Sequence, residues 1–274
     1  MHTKASILSD LARMNAPRDK VVLVHTSLRA VGETEGRGEG FLEALIEYFT
    51  ADGGLLLIPT HTWSNLGRGC DEPTLDMSSP ETCIGTLPGI AAVHPMAHRS
   101  LHPTHSMSVF DGKTKAGEPG AAEDYIAGEV LVDTSTSPKG CYGRVYDMGG
   151  KILLVGVGHN RDTYLHSVEE RMDVPNRLSV NPVPTKIRLK SGDVIERPIR
   201  HHHAEGIKDV SARYPKYEPA FRYHGVIADG TVGNAAVQLC DARGMADVMK
   251  LVRERSGGIE LMADEEPLNP AYYL

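Results

Sequence analysis

His166 and Glu169 stand three residues apart in the stretch Asp162-Thr-Tyr-Leu-His-Ser-Val-Glu169, just beyond the apolar run Lys151-Ile-Leu-Leu-Val155. On a helix, residues three apart share a face and can touch. An imidazole oriented by a carboxylate, just past the end of a buried strand, is suited to act as a general base. The same spacing also occurs on ordinary solvated helix faces, so the pair gains weight only from what converges on it. Two further predicted strand ends carry imidazole and hydroxyl groups: His25-Thr26-Ser27 and His61-Thr62-Trp63-Ser64. In an open α/β sheet, ligands gather at the carboxyl ends of the strands, so three such loops point to a site. Thr26 and Ser27 also suit turn and cap roles, and one residue can do both.

The segment Arg99-Ser-Leu-His102-Pro103-Thr104-His105-Ser106 is dense in polar groups. Pro103 argues against one helix presenting His98, His102 and His105 together, since the residue before proline avoids helical torsions. His201-His202-His203 invites a metal reading, but adjacent histidines point in different directions and one run rarely supplies a tetrahedral set. The expectation is therefore no metal requirement, with a site using Glu205 or Cys70 beside the triple histidine as the rival. Gly156-Val-Gly158 lacks the third glycine of a dinucleotide fingerprint, and neither a P-loop nor a Gly-x-Ser-x-Gly elbow is present.

The elements that must position these groups alternate. Ile7, Leu8, Leu11 and Met14 have helical spacing, ended by Pro17; Val21–Val24 reads as a strand, followed by a Gly-rich loop from Gly32 to Gly40 and a helix over Phe41–Phe49. Leu55–Ile58, Met107–Phe110 and Ile152–Val155 read as further strands, Leu87–Val93 as a helix, and Asp162 as the cap of the helix bearing His166. Strands alternating with helices predict an α/β fold with a central mixed sheet flanked by helices. Beyond Asn176 the pattern changes. Thr185–Lys190 and Val194–Ile199 form a hairpin around Ser191-Gly-Asp193, Ala204–Arg213 reads as helical, and a final helix is expected over Asn234–Arg253, with a break near Gly244. The expected organisation is a single domain over 1–274, with a catalytic core to about residue 176 and a C-terminal hairpin-and-helix subregion over 177–274.

With 41% hydrophobic and 24% charged residues, the composition is that of a soluble globular protein. No apolar run approaches the ~20 residues that span a membrane, and the N-terminus has no signal-peptide core, so a cytoplasmic location is expected. Four dispersed cysteines imply reduced thiols rather than a disulfide framework, and a formal charge of −7 argues against general nucleic-acid binding.

Taken in order, these segments resemble the aminoglycoside 3-N-acetyltransferases and their wider antibiotic N-acetyltransferase relatives. The resemblance rests on Val22-Leu-Val-His-Thr-Ser-Leu-Arg-Ala-Val-Gly32, Gly53-Gly-Leu-Leu-Leu-Ile-Pro-Thr60, Arg99–Ser106, Ser137-Pro138 and Lys151–Gly158. Asn160, Thr163, Leu165-His166 and Glu169 follow, with a looser match through Val232-Gly-Asn-Ala235. It implies an antibiotic N-acetyltransferase-like fold and transfer of acetyl from acetyl-CoA to the 3-amino group of an aminoglycoside. It implies His166 as base and Glu169 as the group holding its ring. Thr26, Ser27, Leu28, Arg29, Arg99, His105 and Ser106 then resemble the coenzyme A groove. The sequence departs from the family where the helix reads His-Ser-Val-Glu-Glu rather than the commoner His-Leu-Ala-Glu, so Glu170 competes with Glu169 as partner.

The residues agree with that chemistry. An ammonium cannot attack a thioester, so a neutral imidazole must take a proton as nitrogen adds to the carbonyl. A donor must meet the developing oxyanion, and Thr163 or a backbone amide of the Thr26-Ser27 loop is available. Trp63, Glu123, Asp124, Glu205 and Asp209 are candidates for holding the acceptor; for each carboxylate a solvated helix face is the plain alternative. The partners expected are a small amino sugar and acetyl-CoA, without nucleic acid or membrane; a homodimer stays open. Three rivals remain: acetylation of a different amine in biosynthesis, a zinc-dependent hydrolase using His61, His102 or the His201–His203 run, and a non-catalytic binder.

Overall fold

Along Val21–Thr26, alternate side chains enter two different cores. Val21 and Leu23 pack with Leu55, Leu57, Ile152 and Leu154 on one face. Val22 and Val24 pack with Leu56, Ile58, Leu153 and Val155 on the other. That double burial is why these strands read as unbroken apolar runs rather than alternating ones. A computed structural model describes residues 1–67, 72–202, 209–264 and 267–274. Cys70, His203 and Glu205 lie outside the described residues.

The strands are β1 (Val21–Thr26), β2 (Leu55–Pro59), β3 (Leu75–Asp76), β4 (His98–Arg99) and β5 (Met107–Phe110). They continue with β6 (Lys151–Val155), β7 (Lys186–Arg188), β8 (Val194–Glu196), β9 (Ile227–Val232) and β10 (Ala235–Asp241). The helices are α1 (Lys4–Arg13), α2 (Leu28–Val31), α3 (Arg37–Thr50), α4 (Thr86–Val93) and α5 (Ala121–Ile126). After them come α6 (Cys141–Asp147), α7 (Tyr164–Arg171), α8 (Glu218–Tyr223) and α9 (Ala242–Ser256).

Among the described residues, one mixed sheet has the order β4-β5-β2-β1-β6-β10-β9, and β3, β7 and β8 form a smaller one. The three central strands β2, β1 and β6 are parallel, and the outer pairs are antiparallel. One face is covered by α1 and α3 through Ile7, Leu11, Phe41, Leu45 and Phe49. The other is covered by α6 to α9 through Tyr142, Val145, Leu165, Phe221, Met245 and Met249. The central mixed sheet flanked by helices is thus the architecture expected from the alternation, and among the described residues no helix is long and apolar enough to cross a membrane.

The C-terminal part differs from the expectation. Asn234–Arg253 is not one helix: Ala235–Asp241 is strand β10, joined to β9 through Gly233 and Asn234. Its reason is long-range, since β10 lies antiparallel on β6, with Leu239 opposite Leu153. Gly244 is not a break but the first turn of α9, where its amide donates to the capping Asp241 carboxylate at 2.7 Å. Of the stretch Ala204–Arg213, positions to 208 lie outside the described residues, and a 3₁₀ segment spans Val210–Tyr217. The hairpin around Ser191-Gly-Asp193 is present as β7 and β8.

The parallel register sets Thr26 opposite Val155 and Leu23 opposite Leu57, so the carboxyl ends of β1, β2 and β6 finish on one edge. Gly156 turns the chain out of β6 at φ +64, and a Cβ there would collide with Ala30 of α2. Gly156→Ala is expected to destabilise the fold by about 2 kcal/mol or more, from combined backbone strain and overpacking. Urea unfolding, read against wild type at neutral pH, checks this; an unchanged midpoint would remove the steric argument.

Candidate active site

Helix α7 starts where the Asp162 carboxylate accepts the Tyr164 amide at 3.1 Å. Tyr164, Leu165 and Val168 bury one side of it in the core, leaving His166 partly exposed with 16% of its side chain accessible. Nδ1 of His166 lies 2.6 Å from the Tyr214 hydroxyl and 3.3 Å from Oε2 of Glu169. Glu169 is fully buried and also accepts Nε of Arg177 at 3.1 Å. Burial works to raise its carboxyl pKa, yet the His166 contact and then the Arg177 charge outweigh it and hold the group below the usual range. Burial, and next the Glu169 charge, push the Tyr214 phenol well above its ordinary pKa, so its proton stays on. An ionised carboxylate only accepts, so the tautomer that donates from Nδ1 to Glu169 leaves the lone pair on Nε2. No described residue bonds Nε2, and His166 lines a cavity of 310 Å³.

Other imidazoles share that cavity. His202 lies 4.6 Å from the His166 ring, and His61 and His105 are 4.5 Å apart, centroid to centroid. Backbone bonds from Thr60 to Ser106 (2.8 Å) and from Thr62 to Thr104 (2.9 Å) extend the β2–β5 pairing and bring these loops together. Burial, reinforced by neighbouring imidazoles, drives His61 and His105 well below the usual histidine pKa, so both are neutral. Nε2 of His61 lies 2.5 Å from the buried Tyr142 hydroxyl.

A second cavity of 400 Å³ opens at the ends of β1 and β2, lined by His25, Thr26, Ile58, Pro59, Cys83 and Val157 among others. The two share Trp63, Ile84, Arg161 and Thr163, so one cleft has two compartments. Oγ1 of Thr26, in the second compartment, and Oγ of Ser135, in the first, make no hydrogen bond among the described residues, nor does Nε2 of His25, which lies 3.8 Å from the Asp162 carboxylate. Buried polar atoms left so are where a ligand can bond. A larger surface cleft of 600 Å³ between α7 and α9 is lined by Arg171, Lys250 and Glu254 and brings no comparable cluster together.

Glu170 does not partner His166. Its carboxylate accepts the Thr134 hydroxyl at 2.5 Å, the Thr136 hydroxyl at 2.7 Å and the Thr136 amide at 2.9 Å, and lies 3.0 Å from Nε2 of His202. Of the groove residues, Thr26 lines the second compartment and Ser27 caps α2, its hydroxyl accepting the Ala30 amide at 3.3 Å. Leu28 and Arg29 lie on α2, with Arg29 exposed. Arg99 is buried, its guanidinium tied to Ser106 and to the carbonyls of Thr60, Asp76 and Ser79. Ser106 is buried against Thr60, and His105 stands in the His166 compartment. Trp63 and Thr163 line both compartments. Glu123 instead meets His98 at 2.9 Å in a separate cleft, Asp124 is exposed beside it on α5, and Asp209 accepts the cavity-lining Ser211 at 3.1 Å. Among the described residues no group of three or more His, Cys, Asp or Glu side chains converges as a metal site needs. Both ring nitrogens of His102 are engaged, with the Thr134 carbonyl and the amides of Thr104 and His105.

Sequence reasoning missed Tyr214 and Arg177 because they come from segments with no local motif, and passed over Arg161 although it stands between the motif residues Asn160 and Thr163. His202 was legible only as part of the His201–His203 run, read as a metal candidate; two adjacent carboxylates on α7 are the signal that could have pointed to it as a partner of Glu170.

The profile of the aminoglycoside 3-N-acetyltransferase family matches residues 23–253. Aminoglycoside N(3)-acetyltransferase VII of Streptomyces paromomycinus is 28% identical, over 93% of this chain and 95% of the relative. Among solved structures, AAC-IIIb in binary complex with CoASH aligns with a TM-score of 0.72 at 21% identity, over 89% of this chain and 93% of that one. A variant of aminoglycoside acetyltransferase AAC(3)-IVa in complex with apramycin aligns at 0.71 and 24% identity, over 97% of both chains. The two structural likenesses concern the fold.

The buried Glu169–Arg177 pair yields a prediction with a definite sign. Because the folded Glu169 carboxyl is held below its ordinary 4.5, the stability it contributes is present in full above that pH and is lost as pH falls through the folded value. Arg177→Met is therefore expected to cost about 3 kcal/mol at pH 7, as breaking a buried pair does, and progressively less below pH ~4.5. Urea unfolding at several pH values measures it; a deficit that stays constant into acid would contradict the pairing.

Proposed function

The chain belongs to the aminoglycoside 3-N-acetyltransferase family and is an acetyltransferase, and on that premise we propose that it moves acetyl from acetyl-CoA to the 3-amino group of an aminoglycoside by direct attack of the amine. The observation that carries this reading is His166, with Nδ1 held by Tyr214 and Glu169 and Nε2 left for the cleft. Such a ring takes the amine's proton as the nitrogen adds to the thioester carbonyl. Glu169 then stabilises the imidazolium, as the carboxylate of a catalytic triad does. The proton passes on to the departing thiolate, so one histidine serves as base and then acid.

The two compartments support a two-substrate site. The compartment at the ends of β1 and β2 combines apolar Ile58, Pro59 and Val157 with Nε2 of His25 and Oγ1 of Thr26, which make no hydrogen bond among the described residues, and this fits an acyl-thioester arm with its amides. Arg161, exposed where the compartments meet, suits the anionic part of coenzyme A. The Ser27 amide is committed to the Val155 carbonyl at 2.9 Å, which favours Thr163, on the wall of both compartments, as the oxyanion donor. The imidazole-lined compartment takes the amino sugar, with Trp63 and Asp209 at its margin.

Thiol release from acetyl-CoA, measured across deoxystreptamine aminoglycosides with simple amines as controls, tests the reading. Release with aminoglycosides alone is expected; release with simple amines only would assign a different acceptor. His166→Ala is expected to lower kcat by about 10²–10⁴-fold while coenzyme A binding, followed by calorimetry, stays near wild type. A variant retaining most of its kcat would take His166 out of the mechanism.

A further inference from the structure

An amine that enters as an ammonium loses two protons before it is an amide, and one imidazole handles one proton at a time. The cleft contains a second imidazole–carboxylate couple beside the first. His202 lies 4.6 Å from His166, ring to ring, and lines the same compartment. Its backbone is fixed by a bridge to Leu178, and Nε2 is 3.0 Å from Glu170. Glu170 is locked by the Thr134 and Thr136 hydroxyls and the Thr136 amide. Those contacts match an ionised carboxylate: burial works to raise its pKa, but the His202 contact and the two threonine hydroxyls hold it low. A carboxylate only accepts, so Nε2 of His202 carries the proton and Nδ1 the lone pair. No described residue bonds that Nδ1.

We propose that His202, held by Glu170, is a second proton-handling residue of the transfer reaction, taking the first proton from the acceptor's ammonium so that His166 takes the second. The inference rests on the acetyl-transfer reading above. The steps balance. The ammonium N–H pair of electrons returns to nitrogen as the proton moves to His202. The neutral amine forms its bond to the thioester carbon while His166 takes the second proton. The tetrahedral intermediate expels the thiolate, which is protonated by His166. His202 returns its proton to solvent, and the net products are the amide, the thiol and one proton.

The surroundings of His202 suit the role. Facing it are Glu170, Glu169 and His166 from α7 and His105 from the loop between β4 and β5, with His201 beside it in the chain. Burial, its largest influence, outweighs the Glu170 contact and keeps the ring below the ordinary histidine pKa, hence neutral and able to accept near pH 7. Glu170, at hydrogen-bonding distance, then stabilises the imidazolium that forms.

The test is the pH dependence of kcat/KM for wild type, His202→Gln and Glu170→Gln with an aminoglycoside that the wild-type protein acetylates. Both variants are expected to lose about tenfold or more near pH 7. That deficit should shrink as pH rises through the acceptor's own amine pKa, where the amine arrives already neutral. Coenzyme A binding by calorimetry reports that each variant is folded, and either variant suffices if the other is not. A loss that is the same at every pH, or no loss, overturns the proposal while leaving His166 as base. Silence of the wild-type protein across all aminoglycosides would instead fail the underlying reading, and this one with it.

Discussion

The parallel seating of β1 between β2 and β6 is the constraint from which the rest of the molecule follows. Parallel neighbours end together, and so the His25, His61 and His166 loops leave the sheet at one edge. Their strands are buried on both faces, so a slip of one residue would exchange the two cores, and the register is correspondingly firm. The antiparallel strands β5 and β10 then close the flanks, and β5 brings the His102–His105 loop against the His61 loop. The cleft is a consequence of topology before it is a consequence of any side chain.

Within that cleft the difficulty is charge. Glu169 and Glu170 are adjacent in sequence, both buried at the side chain, and both ionised. Each is made tolerable by its own set of donors: Arg177 and the His166–Tyr214 pair for one, the two threonines and His202 for the other. Lone buried carboxylates would protonate instead. The neutral state of the surrounding imidazoles has the opposite origin, since burial and mutual repulsion keep His61 and His105 uncharged. Carboxylates held ionised next to rings held neutral are what proton transfer near neutral pH requires.

The loops of the site are also unusually tied. Arg99 bonds carbonyls of Thr60, Asp76 and Ser79, so its charge holds two segments in place. A buried guanidinium with its donors on main-chain carbonyls is a fastening for the loops after β2 and β3. Family membership accounts for the cleft and the acetyl transfer; the pairing of each carboxylate is read from this chain's own geometry.

Much of this was legible in the residues themselves. The β1, β2, β5 and β6 strands announce themselves because apolar runs of that length, bounded by Gly and Pro, have few other uses, and helical spacing offers both Glu169 and Glu170 as neighbours of His166. The segment Ala235–Asp241 was not legible. Its alanines and alternating apolar residues suit helix or strand, and only the open flank of β6 makes it a strand. Which carboxylate serves which histidine was equally beyond local pattern: Glu169 and Glu170 differ by 100° around α7, and that rotation turns one toward Tyr214 and Arg177 and the other toward Thr134, Thr136 and His202. The sequence by itself determined the elements, their order and the residue types that could do chemistry, because those depend on neighbours a few positions apart. Only the tertiary structure decided that Arg99 fastens loops, that Glu123 belongs to another cleft, and that Tyr214 and His202 join the site, because those contacts are made by segments distant in the chain.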